Sequence, residues 1–219
     1  MRPIMFNPYV HILEPRTATV DKEVIRREPM IAGGSWSFCR AKGGVLTHKV
    51  MDTISDDVLS DIKDHALRGY HPVIDTKVVM LMPGMVPCIP GWHCDGVIRK
   101  DDKSQPNLDT LKDPTYHYIA SVSTDEELCP TEICNSPVFI EVDEGKVWES
   151  VNRGVIKEDP MVLKLRSGMV TRFSRQTLHR GTAATKRGWR FFFRLSFYHM
   201  PVQNEIRNQV QVYTQDQGW

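Results

Sequence analysis

Two different spacings of apolar residues divide the chain near residue 77. Before that point the clearest pattern is helical, in "SDDVLSDIKDHALRG" (55–69). Five apolar residues of this segment fall on one face: Val58, Leu59, Ile62, Ala66 and Leu67. Ser55 suits an N-cap and Gly69 suits a C-terminal stop. The pattern therefore predicts one helix over residues 55–69, lying on a core.

From residue 77 onward, short apolar runs are separated by Gly, Pro and Asn, which is typical of strands and turns. The candidate strands are "KVVMLM" (77–82), "YHYIASVS" (116–123), "PVFIEV" (137–142), "MVLKLRSGMVTRF" (161–173) and "GWRFFFRLSFYH" (188–199). The "RSG" at 166–168 indicates a hairpin-type break. A late alternation of Val210, Val212 and Thr214 indicates an edge strand.

Many short strands and few helices predict a mainly β fold, a sandwich or a jelly-roll barrel, with an α-helical N-terminal support. We find no internal repeat or linker, so we expect a single domain over residues 1–219. Its β core would span about 77–199 and its support 1–76.

Composition narrows the possible functions. The formal net charge is +1, with 41% hydrophobic and 25% charged residues, which does not favour a large basic surface for nucleic acid. The basic run "KRGWR" (186–190) is short and also suits a hairpin tip. No apolar run approaches the roughly 18 residues of a membrane span.

The cysteines and the N-terminal segment suggest a reducing compartment. Pro3, Asn7 and Pro8 interrupt any signal-peptide apolar region, and an odd number of cysteines, five, favours reduced thiols. "CPTEIC" (129–134) has no second Cys or His pair at zinc-site spacing. We therefore expect a cytoplasmic protein with buried or loop thiols.

The motif "GWHCDG" (91–96) carries the first candidate chemistry. In a strand, His93 and Asp95 point to one side while Cys94 points to the other, so the first two can reach a common point. The pair alone is a weak signal. A mononuclear oxygen-activating iron needs a second imidazole as well, and His179 in "SRQTLHRG" is the best candidate.

The strand after His179 supplies a second argument. Its alternation places one set of residues on an apolar face: Trp189, Phe191, Phe193, Leu195 and Phe197. Arg190, Arg194 and Ser196 share the other face. Arginine seldom lies in such an apolar strand without a partner, so an anionic ligand inside the fold would satisfy these side chains.

Taken together, these motifs resemble the Fe(II)/2-oxoglutarate-dependent dioxygenase superfamily. "MPGMVPCIPGWHCDG" and "SGMVTRFSRQTLHRG" are similar to the approaches of that superfamily to its metal ligands. The resemblance covers residues 77–199 and implies a double-stranded β-helix, a cupin-like jelly roll. It implies Fe(II) on His93, Asp95 and His179.

The resemblance also implies the roles of the arginine strand and the reaction. Either Arg190 or Arg194 would hold the far carboxylate of 2-oxoglutarate. Arg194 is favoured, with Ser196 as helper, and Arg190 would then hold the nearer carboxylate or pair with a protein acid. With O₂, the reaction would hydroxylate an unactivated C–H bond and release succinate and CO₂. Because Asp95 is present, hydroxylation is implied rather than halogenation.

Several alternatives stay open. A cupin-like metalloenzyme without 2-oxoglutarate would make Arg190 and Arg194 structural, and a metal-free binding jelly roll would need neither the metal nor the cosubstrate. The polar loop 97–114 is either a closing lid or a solvated excursion. The near-neutral charge favours a small-molecule or peptide substrate over nucleic acid, while the substrate itself and the oligomeric state are not readable from the sequence.

Overall fold

A computed structural model describes residues 1–66, 68–99, 105–113, 115–199 and 201–214. The strands are β1 (Arg2–Phe6), β2 (Val10–Glu14), β3 (Met30–Ala32), β4 (His71–Leu81), β5 (Met85–Val86), β6 (Tyr116–Ser123), β7 (Thr131–Cys134), β8 (Val138–Val142), β9 (Val162–Leu165), β10 (Val170–Ser174), β11 (His179–Gly181), β12 (Gly188–Tyr198), β13 (Glu205–Arg207) and β14 (Tyr213–Thr214). The helices are α1 (Lys22–Arg26), α2 (Trp36–Lys42), α3 (Val45–Ala66) and α4 (Val147–Glu158), with a 3-10 helix at Leu108–Lys112.

A five-stranded antiparallel sheet, in the order β2-β10-β6-β12-β4, forms the centre of the molecule. Its longest pairing joins β12 to β4, from Gly188 opposite Leu81 to Tyr198 opposite His71. This pairing begins six residues before the strand that the sequence predicts at residue 77. The extra residues include Asp75, which proves to lie beside the candidate site.

The apolar face of β12 packs against the helices, as its alternation predicts. Phe191, Phe193 and Phe197 are completely buried in a cluster that includes Met51 and Ile54 of α3. Burial of such large side chains stabilises a fold by roughly 2 kcal/mol each. The helices therefore cover one face of the central sheet, and the arginine face of β12 is turned the other way.

A three-stranded sheet, β11-β7-β9, faces the opposite side of the central sheet. Ile119 and Phe173 of the central sheet share an apolar cluster with Ile133 and Leu165 of the smaller one. The prediction of a mainly β fold is confirmed, with 37% strand and 24% helix. The sheets of the described residues do not close into a barrel, so this arrangement does not establish a jelly roll.

The long helix begins well before its predicted start. α3 begins at Val45, so Ser55 lies inside the helix and donates to the Asp52 carbonyl instead of capping. The cap comes from Glu28, whose carboxylate accepts hydrogen bonds from the backbone amides of Leu46 (2.6 Å) and Thr47 (3.2 Å). A cap supplied from a distant segment leaves no local sequence signature.

The face of this helix also needs correction. Val58 is completely buried, as predicted, but Leu59 is 54% exposed and does not belong to the buried stripe. Leu67 lies outside the described residues, as does the side chain of Ala66. Gly69 has φ +75°, which suits its predicted place just beyond the helix.

Other sequence predictions are partly correct. The break at 166–168 contains Gly168 with φ +94°, but it does not form a hairpin because β9 pairs with β7 while β10 pairs with β6 and β2. Of the late alternation, only Thr214 lies in a strand, β14, which pairs with β5, while Val210 and Val212 precede that strand. The support segment 1–76 contains strands as well as helices, and α4 was not predicted.

Among the helices of the described residues, none combines the length and apolar character that a membrane crossing requires. All five cysteines are free.

Candidate metal centre

The backbone brings His93 and His179 together directly. They are partners in an isolated antiparallel bridge, in which the His93 amide donates to the His179 carbonyl at 3.0 Å and the reverse bond measures 2.9 Å. Glycines with positive φ lie on both sides of His93: Gly91 at +95° and Gly96 at +71°. Two segments separated by more than eighty residues are thereby joined at the two histidines.

The three predicted ligands lie around one point. Candidate ligand atoms of His93, Asp95 and His179 are all within 4.8 Å of one another. His179 Nε2 lies 3.5 Å from Asp95 Oδ2, and the two imidazole centroids are 4.7 Å apart. Two imidazoles and one carboxylate in this arrangement are the donor set of a mononuclear non-haem iron site.

Backbone carbonyls orient both imidazoles. His93 Nδ1 donates to the Gly91 carbonyl at 2.9 Å, and His179 Nδ1 donates to the Thr177 carbonyl at 3.1 Å. With the proton on Nδ1, the lone pair of each neutral ring lies on Nε2. This is the outer-shell arrangement that fixes a metal-binding tautomer.

The charge states also suit a divalent cation. Burial, with help from His179, lowers the pKa of His93 to about 4, so this ring is neutral at pH 7. Burial acts to raise the pKa of Asp95, but Arg194 and His179 outweigh it and hold that pKa well below its ordinary value. A neutral imidazole and an ionised carboxylate need not lose a proton before they bind a metal.

Arg194 has partners other than those expected for a 2-oxoglutarate clamp. Its Nη1 donates to Asp95 Oδ1 at 3.0 Å and its Nη2 donates to Asp75 Oδ2 at 2.8 Å. Asp75 is held in turn by the Gly33 amide at 3.1 Å. The guanidinium thus links a candidate ligand to a second carboxylate through one hydrogen bond from each terminal nitrogen, while its Nε, like that of Arg190, has no hydrogen-bond partner among the described residues.

Arg190 lies differently. It is 4% exposed, its Nη2 donates to Thr131 Oγ1 at 3.2 Å, and its Nε has no hydrogen-bond partner within the described part of the chain. Its guanidinium also lies over the Phe192 ring, 5.0 Å from the centroid. A buried guanidinium without a carboxylate is costly unless a ligand satisfies it.

A cavity of about 70 Å³ connects these groups. Its walls include the three candidate ligands together with both arginines, and also Asp75, Lys77, Cys88, Ile119, Thr131 and Phe192. The polar groups converge at the candidate ligands and at Arg190, while Ile119 and Phe192 supply apolar wall. The walls mix polar and apolar side chains as small-molecule sites do, but the volume of about 70 Å³ is well below the roughly 300–1,000 Å³ usual for such sites.

Ser196, expected as a helper of Arg194, does not line this cavity. Its hydroxyl is hydrogen-bonded to His117 Nδ1 at 2.7 Å and the residue is 1% exposed. Ser196 lies on the same face of β12 as Arg194, two residues further along the strand, where that face no longer lines the cavity. Cys94 also lies away from the candidate ligands, in an apolar cluster with Cys134 and Leu178.

The loop at 97–114 is described only in part, because residues 100–104 and 114 lie outside the described residues. Arg99 and Pro106 form a bridge, and the Asn107 amide donates to the Ile98 carbonyl at 2.7 Å. Val97 and Gln105 line a cavity of about 380 Å³ that extends to His93. The described ends of the loop therefore adjoin the site, whereas its closure as a lid stays a prediction.

Three residues of the site were not predicted from the sequence: Asp75, Lys77 and Thr131. The first two alternate on an extended segment, "VIDTKVVM", where charged residues among β-branched ones could have signalled a functional face. Thr131 follows "CP" in the segment whose cysteines suggest only zinc, and no local pattern marks this threonine as part of a site.

The chain was compared with protein-family models, with curated proteins and with solved structures, and none of these comparisons found a match.

Proposed function

We propose that the chain is an Fe(II)- and 2-oxoglutarate-dependent oxygenase that hydroxylates a small-molecule or peptide substrate. The observation that carries this proposal is the shared cavity, which has two histidines and an aspartate at one end and, in its wall, the buried Arg190, whose side chain has no carboxylate partner among the described residues. A metal site alone would not require this arginine. An anion site alone would not require the oriented imidazoles.

The ligand group does not suit a structural zinc site, which takes four ligands, often thiolates, since no cysteine belongs to the group found among the described residues. A catalytic zinc can use two histidines and one carboxylate, so the choice of iron rests on the neighbouring Arg190 and not on the three ligands alone. Calcium and magnesium prefer oxygen donors. Two imidazoles and one carboxylate leave further coordination positions open, which is the requirement for a metal that must also bind a cosubstrate.

We assign the distal carboxylate of 2-oxoglutarate to Arg190 and Thr131. A guanidinium offers a planar fork to a carboxylate, and a threonine hydroxyl can donate to the same group. Arg194, the candidate favoured by the sequence, is already bonded to Asp95 and Asp75. In this assignment Arg194 positions the metal ligand and does not bind the cosubstrate.

We also propose that the two facing sheets are the halves of a double-stranded β-helix. The bridge between His93 and His179 supports this, because it joins the segment after β5 to β11 of the smaller sheet. The five free cysteines agree with a reducing environment, and we propose a cytoplasmic location on that ground.

His93, Asp95 and His179 would hold the iron, which when bound supplies activation of O₂ coupled to decarboxylation of 2-oxoglutarate. The chain itself would provide positioning. Gly91 and Thr177 keep the two Nε2 lone pairs directed inward, and Arg194 keeps Asp95 ionised.

Arg190 would orient the cosubstrate from the far end of the cavity. Ile119 and Phe192 would exclude water from its walls, which strengthens the charge interactions within.

The test measures binding and turnover in sequence. Calorimetry with Mn(II) under anaerobic conditions is expected to give one site per chain, followed by 2-oxoglutarate binding that depends on the metal. With Fe(II) and O₂, succinate is expected to form in step with O₂ uptake. Metal binding without any 2-oxoglutarate binding would support a cupin-like metalloenzyme instead, and absence of metal binding would support a metal-free binding jelly roll.

A further inference from the structure

A further cavity, of about 360 Å³ and larger than the inner one, opens on two of the three candidate ligands, His93 and Asp95. It shares Lys77, Cys88 and Arg194 with the inner cavity, together with His93 and Asp95. Its remaining walls come from Ile89 and from the C-terminal segment that contains β13 and β14. A molecule in this outer cavity would therefore lie beside the metal centre while the inner cavity keeps its own ligand.

The C-terminal segment is held in place on both sides of this cavity. β13 pairs with β3 through Glu205 opposite Ala32, and β14 pairs with β5 through Tyr213 opposite Val86. The Gln203 amide also donates to the Gly33 carbonyl at 2.7 Å. The segment between the two pairings, which presents Gln209, Val210 and Gln211 to the cavity, is thus fixed at both ends.

The charges of the outer cavity do not balance. Asp95 is bonded to Arg194, so the one carboxylate in the described lining is already matched. The side chains of Lys77 and Arg207 also line the cavity, and neither makes a hydrogen bond or an ion pair with the residues that the structure describes, although Asp75 interacts electrostatically with both. Arg207 is exposed. Lys77 is half-buried, and burial, followed by the nearby Arg194, lowers its pKa. A bound anion would offset that cost.

The geometry points to an amphipathic organic carboxylate as the class of substrate, with its carboxylate bound by Lys77 and Arg207. The apolar part of such a molecule would lie along Ile89 and Val210, beside the candidate metal ligands. A volume of about 360 Å³ suits a small molecule and is near the lower end of ordinary ligand sites. This inference rests on the proposed function for the reaction. The binding site itself is formed by side chains of the protein and does not require a bound metal.

The test uses 4-phenylbutyrate and its neutral analogue 4-phenylbutanamide as probes. Calorimetry is performed on the full chain loaded with Mn(II) and 2-oxoglutarate. The carboxylate is expected to bind at least about tenfold more tightly than the amide, because charge-assisted hydrogen bonds are among the stronger polar contacts. Lys77→Met and Arg207→Met are each expected to remove most of that preference, while Arg187→Met, in the exposed bend before β12, retains it.

Four outcomes would overturn the inference: equal binding of the acid and the amide, binding of neither probe, a preference unchanged in both variants, or a Lys77→Met variant that loses 2-oxoglutarate instead of the probe. A parallel titration with 2-phenylethyl phosphate separates carboxylates from phosphates. Tighter binding of the phosphate would contradict the assigned class.

A different result would show that the proposed oxygenase function is wrong. If Mn(II) and 2-oxoglutarate do not bind at all, the oxygenase assignment fails, and the two probes are then titrated against the metal-free chain. A preference for the acid that depends on Lys77 and Arg207 would still support the anion site. If the metal-free chain shows no preference for the acid over the amide, both the oxygenase function and the anion site are excluded.

Discussion

Arg194 donates to Asp95 at 3.0 Å, so one oxygen of the candidate ligand is held while its other oxygen lies 3.5 Å from His179 Nε2. The interaction fixes the carboxylate in one orientation and keeps it ionised. A guanidinium in this position would act on a bound metal through its ligand Asp95. The same side chain reaches Asp75 at 2.8 Å, so its own position is fixed as well.

Replacement of Arg194 by Met is therefore expected to weaken Mn(II) binding by about 10- to 100-fold, the usual range for loss of an outer-shell partner. The affinity for 2-oxoglutarate, measured at saturating Mn(II), is expected to change much less. Arg194→Lys keeps a cation near Asp95 and should restore part of the metal affinity. A large loss of 2-oxoglutarate affinity with unchanged metal affinity would return Arg194 to the role of clamp.

Arg190→Met is expected to show the opposite pattern. Loss of charged hydrogen bonds worth about 1.5–3 kcal/mol should raise the Kd for 2-oxoglutarate roughly 10- to 100-fold, while Mn(II) binding is retained. Thr131→Val, which removes only a hydroxyl, should raise that Kd less. Calorimetry of each variant in the presence of Mn(II) measures both effects. Unaltered 2-oxoglutarate binding in both variants contradicts the assigned anion site.

His179→Ala is expected to abolish Mn(II) binding at micromolar concentrations, because it leaves one imidazole and one carboxylate for the metal. His11→Ala supplies a matched control, since His11 lies on β2 with its side chain exposed. The measurement is metal content after anaerobic reconstitution and desalting. Equal metal retention in the two variants would exclude His179 as a ligand.

The sequence identified the residues of this site better than it identified their partners. The alternation of β12 predicts correctly which residues are buried, because the apolar face from Phe191 to Phe197 contains only large side chains. The His-x-Asp motif and His179 are brought together by a bridge between remote segments. This bridge is a tertiary contact, so the sequence could suggest it only because histidine and aspartate are typical metal ligands.

The predictions that failed concern long-range contacts. The start of α3 depends on a hydrogen bond to the carboxylate of Glu28. The hydrogen bonding of Arg194 depends on Asp75, which lies opposite it in the β4–β12 ladder. Local propensity contains no information on either pairing. The α4 helix is different, because its apolar spacing at Val147, Val151 and Val155 is a local signal that the sequence does contain.

The attachment of α3 to the central sheet gives a prediction about stability. Asp61 of this helix accepts hydrogen bonds from Arg172 at 2.5 Å and from Tyr118 at 2.6 Å, and it is 5% exposed. Asp61→Ala leaves a largely buried guanidinium without this carboxylate, which should lower the free energy of unfolding by about 3–5 kcal/mol. Asp56→Ala, on the exposed side of the helix, should change it by less than about 0.5 kcal/mol. Urea unfolding monitored by circular dichroism compares the two, and similar values would show that the pair does not anchor the helix.

The buried His117 gives a prediction about acid stability. It is completely buried beside Ser196, and burial lowers its pKa from an ordinary 6.5 to about 3. Because the folded-state pKa lies below the unfolded-state value, protonation favours the unfolded chain. The stabilising contribution is complete above pH 6.5 and is lost progressively as the pH falls towards about 3.

The expected loss from this one histidine is up to about 1.4 kcal/mol per pH unit within that interval. His117→Asn cannot titrate there, so the free energy of unfolding of this variant, though lower at pH 7.5, should fall less steeply between pH 6.5 and 4. The exposed His11→Asn should leave the slope of the parent protein unchanged. Urea unfolding of the metal-free proteins across this pH range measures the slopes. Parallel curves for the parent and His117→Asn would mean that His117 accepts its proton without unfolding, and that its burial does not limit the acid stability of the fold.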